Sequence, residues 1–292
     1  IFVTSPYLSE FLENSPNVLD VLISDDFKKL NDVRFLEKDL FNLLRHYSNF
    51  QDILDKSRKW ARERRFQIGI HLLRGQITGV MSSKLYSNLA ISIIRNILKV
   101  THEYFIKDHG KIKNSEFSII GLGTLGSGEM QFGSDLDLIF VYDNIENIKF
   151  SNGKNQLAAS IYFARLSKQF ISNITSLTPE GKIYDIDMRL RPSGKSGPIA
   201  TSLSSFEEYH KNSSWIWERM ALTKAKVIAG DTRIEIKINN LIKKILSEPI
   251  NKIELKKEVI NIREKINKEH PKKEWQIKNS YGGLLDIQFI SQ

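Results

Sequence analysis

The 292-residue sequence contains no cysteine, and this absence excludes two kinds of site. Without cysteine there is no disulfide bond and no zinc site built on thiolates. The lack of cysteine is compatible with a reducing compartment, so we expect a cytoplasmic location.

Long hydrophobic runs are also missing. No run reaches the roughly 18 apolar residues that a membrane-spanning helix requires, so we expect no membrane partner. No basic segment followed by an apolar core opens the chain, and no secretory signal peptide is predicted. The chain begins at Ile1 rather than Met, and its last segment, Leu284 to Gln292, stops within a pattern. We therefore expect it to be part of a longer protein.

Acidic residues are fewer than basic ones, which gives a net charge of +9. A positive charge of this size raises the question of nucleic-acid binding. Many of the lysines, however, lie singly on predicted polar faces, and no basic stretch is interleaved with aromatic residues. Nucleic acid is therefore a disfavoured partner.

The most informative stretch reads FSIIGLGTLGSGEMQFGSDLDLIFVYD and covers residues 117–143. Two apolar runs, Phe117 to Ile120 and Leu138 to Tyr142, predict buried strands. Alternate residues of a strand share a face, so Asp135 and Asp137 are predicted to point to the same side. Two neighbouring carboxylates repel each other, and a Mg²⁺ ion would remove that cost.

The glycines before these aspartates allow two interpretations. Gly121 to Gly126 fits the dinucleotide pattern G-x-G-x-x-G, but Gly128 and Gly133 interrupt the helix that this site needs. No Gly-Lys-Ser or Gly-Lys-Thr occurs within this loop, which excludes a P-loop there. The favoured interpretation is a loop whose backbone amides hold a phosphate chain while the aspartates hold its metal ion. The candidate phosphate-binding residues of the loop are Gly123, Gly126, Gly133 and Ser134.

A third carboxylate lies on a later predicted strand, Ile183 to Arg191. Alternation places Asp187 and Arg189 on one face of that strand, together with Arg191. Three aspartates around a phosphate-binding loop predict a two-metal site, and the alternative is three surface aspartates near turns. For the two arginines, phosphate binding and pairing with Asp185 or Glu218 remain open.

The rest of the chain is predicted to be mainly helical. Arginines at positions 62, 64, 65 and 74 are interpreted as a solvated helix face, and Trp215 to Val227 is predicted as a helix. We expect an α+β fold in which a small sheet with helices is flanked by helical regions. The predicted boundaries are 1–112 for the N-terminal helical region, 113–230 for the core and 231–292 for the C-terminal helical domain.

Gly133-Ser134, then Asp135-x-Asp137, then a distant Asp187 between apolar residues resembles the pattern of polymerase-beta-like nucleotidyltransferases. The resemblance extends to one family, the glutamine synthetase adenylyltransferases, over most of residues 117–292. It is carried by the central stretch, by YDIDMRLRPSGKSGPIATSLSSFEEYHKNSSWIWERMALTKAKVIAGD and by YGGLLDIQFISQ. The segment SPYLSEFLENSPNVLD near the start also fits.

The resemblance implies a function and a set of site residues. Full-length enzymes of this family contain two nucleotidyltransferase cores. One attaches AMP to a tyrosine of glutamine synthetase and the other removes it with phosphate. The chain holds one core, which is more similar to the C-terminal, adenylylating half. By resemblance, Asp135, Asp137 and Asp187 bind Mg²⁺, while Arg189, Arg191 and the loop residues bind the ATP substrate. The implied protein partners are glutamine synthetase and, as a further candidate, a PII-type signal protein.

Two positions depart from the family pattern. The family usually has lysine where Thr124 stands and glutamate where Gln288 stands. Three alternatives therefore remain open: the reverse removal of AMP, an inactive core that serves as a binding module, and a nucleotidyltransferase acting on RNA or a small molecule.

Overall fold

The computed structural model describes residues 9, 12–13, 32–144, 148–269 and 277–292. Most of the first 31 residues of the predicted N-terminal region therefore lie outside the described residues. The described part of that region is helical as predicted, with helices α1 (Val33–Leu44), α2 (Phe50–Leu73) and α3 (Gly79–His109). None of the described helices is long and apolar enough to cross a membrane.

Within the described residues, five strands form one mixed sheet. They are β1 (Ser115–Gly121), β2 (Leu136–Asn144), β3 (Ile186–Asp187), β4 (Ala200–Ser202) and β5 (Lys226–Gly230). The hydrogen-bonded order is β3-β2-β1-β5, and β4 also pairs with β2. β1 runs antiparallel to β2 and β5, whereas β3 and β4 run parallel to β2. The predicted α+β class is confirmed.

The remaining helices surround this sheet. They are α4 (Gly123–Ser127), α5 (Ala159–Thr175), α6 (Leu203–Asn212), α7 (Ile216–Leu222), α8 (Thr232–Ser247), α9 (Lys252–Glu269) and α10 (Leu284–Ser291). The predicted division at residues 112 and 230 stays a prediction.

The alternation of side chains along β2 divides the core into two layers. Leu136, Leu138 and Phe140 pack on one face with residues of α1, α2, α3 and α5. Ile139 and Val141 pack on the other face with residues of α6 and α8. Because Asp137 is two residues from Ile139, it leaves the sheet on the α6 and α8 side.

The arginines of α2 are structural, and the prediction of a solvated face was wrong for three of them. Arg62 pairs with Glu180 at 2.5 Å, and Arg64 pairs with Asp39 at 2.9 Å. The guanidinium of Arg65 lies 3.8 Å from the ring centre of Tyr184 and donates to the carbonyl of Ile183. These contacts tie α2 to α1 and to the segment that leads into β3.

The helix predicted over Trp215 to Val227 was also wrong over its last five residues, 223–227. Helix α7 ends at Leu222, and Lys226–Gly230 forms β5, which pairs with β1. This strand completes the sheet beside the glycine-rich loop.

Candidate active site

Asp137 and Asp187 lie across from each other on neighbouring strands. β2 and β3 run parallel, and Asp137 is the register partner of Asp187. Neighbouring strands are about 4.8 Å apart, so the two carboxylates leave the same face of the sheet side by side. Asp137 is partly buried, whereas Asp135 is exposed in the extended segment just before β2. The structure thus brings together two of the predicted aspartates and leaves the third two residues upstream.

The electrostatics of this group are set by burial and by like charge. Burial, followed by the charges of Asp187 and Asp135, raises the pKa of Asp137 to about 6. Burial also raises the pKa of Asp187, but hydrogen bonds and charge from Arg189 outweigh it, and the net pKa lies below its ordinary value. Burial and the neighbouring carboxylates therefore oppose the charged form of Asp137, a cost that a bound cation would relieve.

Gly123 and Gly126 allow the glycine-rich loop to approach the strands closely. A Cβ on Gly123, whose φ is +51°, would lie 2.3 Å from Oδ2 of Asp137. A Cβ on Gly126 would lie 1.9 Å from the carbonyl oxygen of Lys224. A side chain at position 126 would clash with backbone, whereas one at position 123 would need a left-handed φ and a shift of the Asp137 carboxylate. Both residues were predicted to bind phosphate, and that role stays a prediction.

The helix after the first glycines is short. α4 spans Gly123–Ser127 and ends at Gly128, which has a φ of 77°. A dinucleotide site of the Rossmann type requires a longer helix at this point, so the structure agrees with the interpretation that disfavoured it.

Gly133 and Ser134 form a turn directly before the aspartates. The backbone amide of Gln131 donates to the Ser134 hydroxyl at 2.8 Å, and the Ser134 amide donates to the Gln131 carbonyl at 3.1 Å. The turn is therefore held from both sides, and Gly133 is exposed at its tip. The predicted phosphate contacts of Gly133 and Ser134 stay predictions.

The predicted long strand around Asp187 was wrong in length, and the two arginines lie beyond it. β3 contains only Ile186 and Asp187, and Arg189 lies in the turn that follows. Its backbone amide and Nε donate to the Asp187 carboxylate at 2.8 and 2.7 Å. Neither arginine pairs with the acidic partners considered from the sequence: Asp185 pairs with Lys182, and Glu218 accepts from Tyr209.

Arg191 organises the loop that follows β3. Its guanidinium donates to the carbonyls of Met188 at 2.9 Å, Lys195 at 3.1 Å and Gly197 at 3.3 Å. Arg191 therefore positions this loop, and its predicted phosphate contact is not tested by these bonds.

Two lysines whose charges act on the carboxylates were absent from the sequence-based prediction. The charge of Lys195 lowers the pKa of Asp187, and that of Lys278 lowers the pKa of Asp137. Lys195 lies in the loop that follows β3, so its position in the sequence could have indicated that it is near Asp187 in the chain. Lys278 comes from the distant C-terminal segment, and no local pattern marks it.

The carboxylates suit a hard cation, although they do not form a ready ligand cage. In the part of the chain that the structure describes, no three histidine, aspartate or glutamate side chains converge to hold a metal ion. A nucleotide site for Mg²⁺, however, needs only one or two carboxylates, because phosphate oxygens and water complete the shell. Asp137 and Asp187 meet that requirement once Arg189 leaves Asp187, so the residues present fit the ion.

The chain is similar in sequence to a family of known proteins. The family model described as glutamate-ammonia ligase adenylyltransferase matches residues 1–241. Curated relatives named bifunctional glutamine synthetase adenylyltransferase/adenylyl-removing enzyme match along the whole chain. The relative from Brucella suis biovar 1 is 37% identical over 294 residues, which covers 100% of this chain and 30% of that protein. The relative from Bartonella quintana is also 37% identical, with the same coverage, and that from Agrobacterium fabrum is 35% identical over 296 residues.

The chain thus spans about 30% of the length of these curated relatives. The family match nevertheless covers most of the chain and includes both strands that carry the paired aspartates. The chain belongs to the glutamate-ammonia ligase adenylyltransferase family.

Proposed function

We propose that this chain transfers AMP from ATP to a tyrosine hydroxyl of glutamine synthetase. The observation that carries the proposal is the side-by-side placement of Asp137 and Asp187 next to a glycine-rich loop, in a chain of this family. The relatives are named for the same protein substrate, although the chain covers only 30% of their length. We also propose that the reaction takes place in the cytoplasm. A PII-type regulator is a further partner that rests on the resemblance alone.

Asp137 and Asp187, together with Asp135, would hold Mg²⁺ at this site. When bound, the ion would neutralise charge on the phosphates and on the attacking oxygen. The support for this assignment is the raised pKa of Asp137, which reflects burial together with the charges of Asp187 and Asp135. The ligands are all oxygens, as Mg²⁺ prefers.

Arg189 would exchange the Asp187 carboxylate for a phosphate of the nucleotide. Its Nε donates a hydrogen bond to the Asp187 carboxylate at 2.7 Å. Its side chain is 74% exposed, so it is able to rotate towards a phosphate. Arg189 would then release Asp187 as the nucleotide binds. Ser134 and the backbone amides around Gly133 would contact the β- and γ-phosphates on the opposite side.

The acceptor tyrosine must lose its proton as its oxygen attacks. A tyrosine hydroxyl has a pKa near 10, so it is a poor nucleophile at neutral pH. By resemblance to the family, we assign to Asp187 the role of helping to take this proton. The new bond forms between the tyrosine oxygen and the α-phosphorus, and the bond from that phosphorus to the pyrophosphate leaving group breaks.

The removal of AMP is the second candidate function. The relatives' names include an adenylyl-removing activity, and the chain covers only 30% of their length. By resemblance, removal uses the same carboxylates, with inorganic phosphate as the attacking group and ADP as the product.

Transfer of label from α-labelled ATP to purified glutamine synthetase tests the proposal. We expect Mg²⁺-dependent label on the synthetase, and no label with Asp137→Asn. A parallel reaction contains adenylylated synthetase and inorganic phosphate and is assayed for ADP. Label without ADP supports transfer, whereas ADP without label identifies removal. Neither product, with no ATP binding, would indicate an inactive core and contradict both functions.

A further inference from the structure

The turn at residues 131–134 is joined to helix α3 through the residue that precedes it. Within the turn, Gln131 and Ser134 exchange two hydrogen bonds, at 2.8 and 3.1 Å. The amide of Met130, one residue earlier, donates instead to the hydroxyl of Ser87 in α3, at 3.1 Å. A contact between residues 43 positions apart therefore links the turn before the aspartates to the N-terminal helical region.

The hydroxyl of Ser87 is committed to two hydrogen bonds. It donates to the carbonyl of Ser83, one helical turn earlier, at 2.9 Å, and it accepts from the amide of Met130. A hydroxyl has a single proton, so its donation to Ser83 leaves the oxygen lone pairs for that amide. Ser87 is 2% exposed and Met130 is 0% exposed. Loss of the hydroxyl would therefore leave a buried amide without its acceptor, which is costly.

Burial of the Met130 side chain alone would not fix this backbone. Met130 belongs to the core cluster that also contains Leu85 and Leu89 of α3. A methionine side chain has three rotatable bonds and adapts to small displacements, so its packing tolerates a shift of the backbone. A hydrogen bond is directional and weakens steeply when its angle is distorted. The bond to Ser87 therefore fixes the start of the turn with respect to α3.

Neighbouring contacts hold the same part of the chain at two further points. The ring of Phe132 lies edge-on to that of Tyr86 in α3, with 6.0 Å between the ring centres. After the turn, the amide of Leu136 donates to the carbonyl of Asp185, just before β3, at 2.9 Å. The turn is thus anchored on α3, and the chain that follows it is anchored beside β3.

We propose that Ser87 is a positioning residue of the nucleotide site, which fixes the turn at residues 131–134 with respect to the paired aspartates. The proposal rests on the proposed function, because it assumes that Ser134 and the amides around Gly133 contact the β- and γ-phosphates. Ser87 acts on the nucleotide only through Met130, because its own hydroxyl is buried and committed. The N-terminal helical region thus contributes to nucleotide binding as well as to the core.

Ser87→Ala removes the acceptor, and Ser92→Ala is the matched control on the full chain. Ser92 is also buried on α3, and its hydroxyl donates to the carbonyl of Asn88 at 2.8 Å, again one helical turn earlier. Its second partner is the carbonyl of Val33, at 3.3 Å, rather than an amide before the turn. Hydrogen–deuterium exchange followed by mass spectrometry should be faster over residues 130–134 in Ser87→Ala and unchanged there in Ser92→Ala.

Titration calorimetry with ATP and with AMP in Mg²⁺ measures the consequence for binding. We expect Ser87→Ala to raise the Kd of ATP about tenfold, which corresponds to the loss of one hydrogen bond to a charged phosphate. The Kd of AMP should change little, because AMP lacks the β- and γ-phosphates. Ser92→Ala should bind both nucleotides as the wild type does.

Three results would overturn the proposal. An unchanged Kd for ATP in Ser87→Ala would show that the bond to Met130 is structural only, whether or not exchange is faster. Equal losses for ATP and AMP in Ser87→Ala, or an equal loss of ATP affinity in Ser92→Ala, would show a general disturbance of the fold.

These results are separable from the proposed function. A wild-type chain that binds ATP but labels no synthetase contradicts the proposed function alone, whereas one that binds no nucleotide contradicts both.

Discussion

Substitution of Gly123 by alanine tests how the glycine-rich loop supports the carboxylates. The residue has a φ of +51°, and its missing Cβ would lie 2.3 Å from Oδ2 of Asp137. The left-handed conformation costs a residue with a side chain about 1–2 kcal/mol. The methyl group would also displace the Asp137 carboxylate. We therefore expect a modest loss of stability and a large loss of Mg²⁺-dependent ATP binding.

Gly128→Ala is the matched control for this variant. Gly128 has a φ of +77° in the same loop, but no atom lies within 4 Å of the position that its Cβ would take. It therefore carries the same backbone cost, about 1–2 kcal/mol, without touching Asp137. The difference between the two variants isolates the contact with the carboxylate.

Urea unfolding and calorimetric ATP binding measure the two effects separately. We expect similar decreases in the free energy of unfolding for both variants, and weakened ATP binding only for Gly123→Ala. Equal ATP binding by the two variants would refute the argument that Gly123 is needed to make room for Asp137.

Further predictions concern stability and pH. Arg191→Ala removes the donor to three loop carbonyls, and we expect it to lower the free energy of unfolding, measured in urea, by about 2–3 kcal/mol. Arg189 is exposed, so Arg189→Ala should lower it by less than about 1 kcal/mol. Equal effects of these two variants would contradict the positioning role of Arg191. Arg65→Ala should cost about 1–2 kcal/mol in the same assay through its contacts with Tyr184 and the Ile183 carbonyl, and an unchanged stability would restore the solvated-face interpretation. Burial, followed by the charge of Arg219, lowers the pKa of His210 from 6.5 to about 4. As the pH falls from 6.5 towards 4, the unfolded chain binds a proton at His210 that the folded chain excludes. The free energy of unfolding therefore falls progressively, by about 3 kcal/mol in full. Urea unfolding between pH 7 and 4 should show that His210→Leu is less sensitive to acid than the wild type, and parallel curves would contradict this prediction.

The strands that carry the site could be predicted from the sequence because their patterns are local. The apolar runs before and after the glycines became β1 and β2, and the two-residue spacing identified Asp137. The strand that carries Asp187, the partner of Asp137, was harder to predict. It has only two residues, and its existence depends on pairing with β2.

The errors arose where distant residues decide the local structure. The first two residues of β5 were predicted as the end of a helix, because a five-residue strand paired with β1 leaves no periodic signal of its own. The arginines of α2 have an amphipathic helical pattern, but Arg62 and Arg65 contact Glu180 and Ile183, far along the chain. The charge of Lys278 lowers the pKa of Asp137 although the two residues lie far apart in the sequence.

Uptake of Mn²⁺ in the presence of ATP, followed by the electron paramagnetic resonance of the free ion, tests the central claim most directly. Asp187→Asn removes a proposed ligand, whereas Asp185→Asn removes a neighbouring carboxylate that pairs with Lys182 at 2.5 Å. We predict that the wild type and Asp185→Asn take up Mn²⁺ with ATP, and that Asp187→Asn loses at least about tenfold in affinity. Equal uptake by Asp187→Asn and Asp185→Asn would contradict the claim that the Asp137 and Asp187 pair holds the metal ion for AMP transfer.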